Sequence, residues 1–182
     1  MQLNYLKNDT ITTPKGGNYM EKTIYLAGGC FWGVQEYYSR LKGVISSVSG
    51  YANGTKENPS YQEVKRQIYH HVETVEVRYD DSVISLEKII EHYLRFVDPY
   101  SLNQQGEDKG VQYRSGIYFV DKNEESIIKK VLNEYLEPYY KIEVLPLQNF
   151  YKAEEYHQDY LKKNINGYCH VNLNLIKKGE SK

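Results

Sequence analysis

Cysteine is scarce: Cys30 and Cys169 are the only two in 182 residues. A small secreted domain stapled by disulfides normally carries more, and structural zinc needs four ligands in tight paired spacings that these two do not supply. Net charge is equally slight. It is −1, from 23 basic and 24 acidic residues, so no broad field draws the chain to nucleic acid or an anionic membrane. No apolar run approaches the length that spans a bilayer. Met1 to Tyr19 lacks a continuous hydrophobic stretch and does not read as a secretory signal. With Thr12-Thr13-Pro14-Lys15-Gly16-Gly17 inside it, 1–20 is expected to be a flexible leader. The remaining 21–182 suits a single domain, and the cytoplasm is the expected location.

Tryptophan occurs once, at Trp32, and phenylalanine four times, against 20 tyrosines. Tyr joins an apolar ring to a hydroxyl, so it can line a greasy pocket that still donates hydrogen bonds. For most of the tyrosines a compositional habit is the simpler reading. Hydrophobic content of 40% and charged content of 26% are those of an ordinary globular chain.

Thr23 to Ala27 reads as a short buried strand that runs into Gly28-Gly29-Cys30-Phe31-Trp32-Gly33 and a short helix over Val34 to Leu41. Gly43 ends that helix, Val44 to Ala52 is a strand closed by Asn53-Gly54, and Pro59-Ser60 opens a helix to about Arg66. In the strand from His71 to Tyr79, one face carries Val72, Thr74, Glu76 and Arg78. The other carries His71, Glu73, Val75, Val77 and Tyr79, which puts Glu73 on the core side. An amphipathic helix follows, with Leu86, Ile89, Ile90, Tyr93, Leu94 and Val97 on one face, Ser85 as N-cap and Asp98-Pro99 as stop. Ser101 to Ser115 is a long polar loop, of a length that tends to be functional. A strand at Gly116 to Val120, a helix capped by Asp121 and a strand at Ile142 to Leu147 come next. A last helix has Ala153, Tyr156, His157, Tyr160 and Leu161 on one side, and the tail from Asn164 has no clear period. Strands alternate with helices without repeats. The expected class is α+β, a two-layer α/β sandwich with helices packed on a mixed sheet.

Cys30 ends a strand, follows two glycines and opens a helix. The partial positive charge and unpaired N–H groups of a helix N-terminus favour a thiolate, while a buried, inert thiol is the competing reading. Gly29 permits a tight turn and close approach of a substrate. Phe31 and Trp32 directly after the Cys suit an aromatic cage for a methyl group on sulfur, or else an anchor for the helix. A desolvated Glu73 can stay protonated and donate to a developing oxyanion; the alternative is a strand-end Glu that bends to solvent or pairs with a cation. Tyr61, Tyr113 and Asp108 stand near loops, and pattern alone does not select them. His92 falls on the polar side of its helix and is expected to be solvated. His157, on an apolar face, reads as a hydrogen-bonded core histidine. His70-His71 and Cys169-His170 do not make a zinc site by spacing.

The hexapeptide 28–33 resembles the signature of the A-type methionine sulfoxide reductases. It is joined in order by Gly50-Tyr51-Ala52-Asn53-Gly54, Asn58 to Val64, His71-Val72-Glu73, Asp98-Pro99, Gln105 to Ser115, the run Phe150, Ala153, Glu154, Tyr156, His157, Gln158 and Tyr160, and Gly167-Tyr168-Cys169. The likeness covers about Thr23 to Val171. It implies a ferredoxin-like core, with Cys30 as nucleophile, Phe31 and Trp32 around the substrate methyl, and Glu73 as the acid helped by Tyr61 and Tyr113. It further implies that Asp108 holds the substrate amide and that Cys169, beside Tyr168, is the resolving cysteine. The reaction implied is reduction of the S epimer of methionine sulfoxide, free or in proteins, by a monomer without metal or other cofactor and with thioredoxin as external reductant. Position 107 is Glu where many members carry Asn, and with no third cysteine a three-cysteine relay is impossible. No second reductase segment follows, so R-epimer activity is not expected. Two rivals make different predictions. A thiol peroxidase would consume hydrogen peroxide rapidly, and a non-catalytic Met-peptide binding module would leave Cys30 slow to alkylate.

Overall fold

In a computed structural model, residues 20–182 are described; the expected leader lies outside them except for Met20. The chain runs β1 (Glu21–Gly28), α1 (Phe31–Ser39), β2 (Val44–Ala52), α2 (Tyr61–Lys65), β3 (Val72–Asp80) and α3 (Leu86–Leu94). It continues through β4 (Gln104–Gln105), β5 (Asp108–Lys109), β6 (Ser115–Phe119), α4 (Asn123–Tyr135), β7 (Glu143–Pro146), β8 (Phe150–Lys152) and α5 (Tyr160–Lys163). One sheet has the order β7-β6-β1-β3-β2-β8, and β4 and β5 form a separate small hairpin inside the long loop. β3 inserts between β1 and β2 antiparallel to both, β6 is antiparallel to β1, and β7 lies parallel to β6. The sheet is therefore mixed, as expected. The β1-α1-β2-β3-α3-β6 unit, ordered β6-β1-β3-β2 in space, is the split βαβ arrangement of ferredoxin-like folds.

Period-2 alternation in the strands and the helical stripes meet in one core. Ile24, Leu26, Val75, Val77 and Ile117 from the sheet pack against Val34, Ile89, Ile90, Ile128 and Leu132 from the helices. Each such side chain contributes roughly 1.5–3 kcal/mol by leaving water. Tyrosine is more than a compositional habit here. Tyr37, Tyr38, Tyr51, Tyr93 and Tyr118 are fully buried, and their hydroxyls reach His92, the Ile89 carbonyl, Glu154, the Ala27 carbonyl and Glu143. On the opposite face of the sheet Val72 and Ala52 are buried too, because Leu147 and Phe150 cover them.

Two expectations need correction. The last helix is not continuous: β8 is followed by a single 3₁₀ turn at Glu155–His157, and α5 begins only after Asp159, which has φ 51°. The Gln158 side chain is bonded to Ser49 and Gln35, and Glu154 accepts from the Tyr61 N–H. These distant ties hold the segment off a helical path. His92 is buried, not solvated: it is 1% exposed, with Tyr37 Oη at 2.8 Å from Nδ1. The C-terminal tail covers that helix face, where Arg95 makes a two-pronged bond to Glu180 at 2.6 and 2.8 Å. Burial, followed by Arg95, lowers the His92 pKa to about 4. Among the described residues no helix is long and apolar enough to cross a membrane.

Candidate active site

β3 runs antiparallel to β1, so its first residues lie beside the end of β1. The pairing Leu26–Val75 carries Glu73 to the level where β1 stops and α1 starts. Cys30 is the N-cap residue of α1, and the Phe31 backbone N–H donates to Glu73 Oε2 at 3.1 Å. One of the unpaired donors at the helix start is thereby satisfied by the carboxyl group of a neighbouring strand.

Around these two residues is a pocket of about 150 Å³. Cys30 and Glu73 line it together with Phe31, Trp32, Tyr61 and Tyr113, and Asp108, His157 and Tyr168 complete the wall. Eight of the ten residues singled out in the sequence are thus brought together. Gly29 is not among the lining residues. Its φ of +83° confirms the tight turn, but a Cβ there would meet Gln105 Cβ at 2.6 Å and His170 Nε2 at 3.0 Å, so protein side chains occupy the space expected for substrate. Gly29→Ala, strained in φ and in contact, should lower the thermal midpoint by several degrees, an effect of about 1–3 kcal/mol. Cys169 also lies outside the pocket. It lines a separate groove with Glu36, Arg40 and Leu161, donates to the Val171 carbonyl at 3.1 Å, and packs so close to Gly33 that a Cβ would come within 2.9 Å of its sulfur. Both cysteines are free thiols.

Two hydrogen bonds tie the tail to the elements around the pocket. Tyr168 donates to Asp108 Oδ2 at 3.0 Å, and His170 Nε2 lies 2.7 Å from the Gly28 carbonyl oxygen. His71 is likewise engaged, by the Lys56 carbonyl at 2.8 Å.

The electrostatics divide the two reactive groups in an unexpected way. Burial pushes the Glu73 carboxyl from 4.5 up to about 8, against the Phe31 N–H and with help from Asp108. It is therefore protonated at neutral pH. Of the two readings left open for Cys30, the buried thiol describes the direction of its titration. Burial, then the Glu73 charge, push the thiol pKa up, and the Trp32 backbone N–H only partly offsets them. Tyr61 and Tyr113 are also raised by burial and keep their protons, and neither hydroxyl makes a hydrogen bond among the described residues.

The Glu73 shift has a consequence for stability. Between 4.5 and about 8 the folded protein holds a proton that the unfolded chain has released. This group's stabilising contribution is fully present below 4.5 and is lost as pH climbs through about 8. Denaturant midpoints should fall across that window, and Glu73→Gln should flatten the dependence.

Residues the sequence reading did not assign to the site touch the side chains of its wall, and one of them, His157, lines the pocket itself. Tyr160 stacks on Trp32 at 3.7 Å and 12°, and His157 Nδ1 accepts from Trp32 Nε1 at 3.0 Å. Glu154 accepts from the Tyr51 and Tyr156 hydroxyls and from the Tyr61 N–H. The expected hydrogen-bonded core histidine at 157 is found, but at the pocket and not remote from it.

The peptide methionine sulfoxide reductase family matches residues 22–182. A peptide methionine sulfoxide reductase MsrA from Ureaplasma urealyticum is 54% identical over 162 residues, covering 87% of this chain and 98% of that protein. Among solved structures, Mxr1 from Saccharomyces cerevisiae in reduced form is 35% identical with a TM-score of 0.77, over 84% of this chain and 91% of that one. Mxr1 in complex with Trx2 matches at 26% identity and a TM-score of 0.54, over 81% of this chain and 90% of that one. With Cys30 in a pocket at the head of α1 and this likeness along nearly the whole described chain, the protein belongs to the peptide methionine sulfoxide reductase family, in its A type.

Proposed function

We propose that Cys30 reduces the S epimer of methionine sulfoxide, free or in proteins, with Glu73 as the acid and Cys169 as the resolving thiol. The observation that carries this reading is a buried carboxyl, with no cation paired to it among the described residues, lining one small pocket with a thiol and two aromatic rings. Phe31 and Trp32 offer polarisable faces to the S-methyl group. The hydroxyls of Tyr61 and Tyr113 remain available to the sulfoxide oxygen. Asp108, once released by Tyr168, can accept a hydrogen bond from the substrate amide.

The step balances within the pocket. The Cys30 sulfur attacks the sulfoxide sulfur while Glu73 gives its proton to the oxygen and takes up the proton that the thiol loses. The oxygen passes to Cys30, methionine leaves, and Cys30 is held as a sulfenic acid, oxidised by two electrons. A protonated Glu73 also removes the charge that disfavours the Cys30 thiolate, so one proton serves both partners. Cys169 then displaces water from the sulfenic acid to form a disulfide, and an external dithiol attacks that disulfide and restores both thiols. The relative solved with Trx2 supports a reductant of the thioredoxin class. No metal or organic cofactor enters these steps. Two working thiols that must return to the reduced state suit the cytoplasm.

Cys169 donates to the Val171 carbonyl, a bond that must be given up before the disulfide forms. Cys169→Ser is therefore expected to yield about one methionine per chain with thioredoxin as sole reductant, and then to stop. Sustained turnover by that variant would contradict the resolving role.

A further inference from the structure

We propose that His170 is a positioning residue for the resolving step: its bond to the Gly28 carbonyl moors the tail on the turn that carries Cys30 and keeps Cys169 within reach of the oxidised sulfur. The inference rests on the reading of Cys169 as the resolving thiol given above. Two consecutive tail residues lie against the two glycines that flank the nucleophile. His170 Nε2 would stand 3.0 Å from a Cβ at Gly29, and Cys169 Sγ 2.9 Å from a Cβ at Gly33. Both glycines therefore make room for the tail, and between them Cys30 opens α1 as its N-cap residue. The same Nε2 lies 2.7 Å from the carbonyl oxygen of Gly28, the last residue of β1.

A carbonyl oxygen can only accept, so Nε2 carries the proton, and burial lowers the His170 pKa and keeps the ring neutral. Nδ1 is then a buried acceptor with no hydrogen-bond partner among the described residues. A side chain present for packing alone would gain from losing that atom. What imidazole contributes is the donor to Gly28. A second tie of this stretch, from Tyr168 to Asp108, is given up when Asp108 turns to the substrate amide. His170 is not among the residues that line the substrate pocket, so its bond to Gly28 stays when the resolving step begins. In that step the Cys169 sulfur displaces water from the Cys30 sulfenic acid. An S–S bond forms, the S–O bond breaks, and the Cys169 proton leaves with the oxygen as water. No electron enters or leaves the chain. A tethered thiol reacts at a high effective concentration, and releasing the tether lowers it.

The test compares His170→Met, which has no donor, with His170→Gln, whose amide nitrogen reaches the Nε2 position. Reduced full-length protein is mixed with one equivalent of the S epimer of a methionine sulfoxide peptide, without external reductant. Methionine formed, free thiols and sulfenic acid trapped by dimedone are followed in time. His170→Met should form methionine within about twofold of the parent rate, lose its second thiol about tenfold more slowly, and leave Cys30 open to trapping in the interval. His170→Gln should restore most of the second rate. If His170→Met does not fold, His170→Asn, whose amide is too short to reach Gly28, takes its place with the same expectation. Thiol loss as fast as the parent's or faster without the donor, an equal slowing of methionine formation, or no rescue by Gln would overturn the role. Methionine formed by the parent with Cys169 still reduced would overturn the resolving reading itself and this inference with it, and the parent shows that before any variant is compared.

Discussion

Cys30→Ser is expected to reduce no methionine sulfoxide above the uncatalysed background. A serine hydroxyl is a far weaker nucleophile than a thiolate, and its oxygen cannot accept a second oxygen as a sulfenic acid. The substitution removes chemistry without removing the pocket, since Phe31, Trp32 and Glu73 keep their backbone positions. Trp32 fluorescence should therefore still respond to the S epimer of a methionine sulfoxide peptide. Binding without turnover is the expected signature, and residual turnover by this variant would displace Cys30 as the nucleophile.

Glu73→Gln carries the second largest effect. Gln keeps the size of the side chain and can still accept from the Phe31 N–H, but it has no acidic proton to give. General acid catalysis contributes about 10²–10⁴-fold, so single-turnover reduction should slow by that amount while the half-saturating concentration changes little. The parent rate should also fall as pH rises through about 8, where Glu73 loses its proton. That limb should be absent from the variant. Unchanged single-turnover rates in Glu73→Gln would remove Glu73 as the acid.

The parts of the site that follow a period were legible in the sequence. Glu73 stood out because it shares a strand face with Val75 and Val77; the pattern left open a turn to solvent, and the residue is 2% exposed. The place of Cys30 followed from a strand, two glycines and a helix start in succession, and it is the N-cap residue of α1. The direction of its titration did not follow. Position at a helix end predicts a lowered thiol pKa, and burial beside a second acid outweighs it. The pocket that buries the thiol is lined in part by Asp108 of β5 and Tyr168 of the tail, from far along the chain.

The last third of the chain was the least legible, for one recurring reason. Side chains there bond to backbone atoms about a hundred residues away, and such ties leave no periodic trace. Gln158 reaches Ser49 and Glu154 reaches Tyr61, so a stretch with helical spacing becomes a strand, a turn and a short helix. His92 looked solvated by its own helix period. It is covered because Glu180 binds Arg95 one turn away. The order of family-like motifs carried the functional reading through this region where periodicity could not.

The most direct test of the central claim is a thiol count. Fully reduced protein is mixed with one equivalent of the S epimer of a methionine sulfoxide peptide, without external reductant, while Trp32 fluorescence is followed. Loss of two thiols per chain, one methionine formed and a change in Trp32 emission are the predicted result, with Cys30 and Cys169 recovered as a disulfide. Methionine formed with both thiols retained, or thiols retained and no methionine, would contradict it.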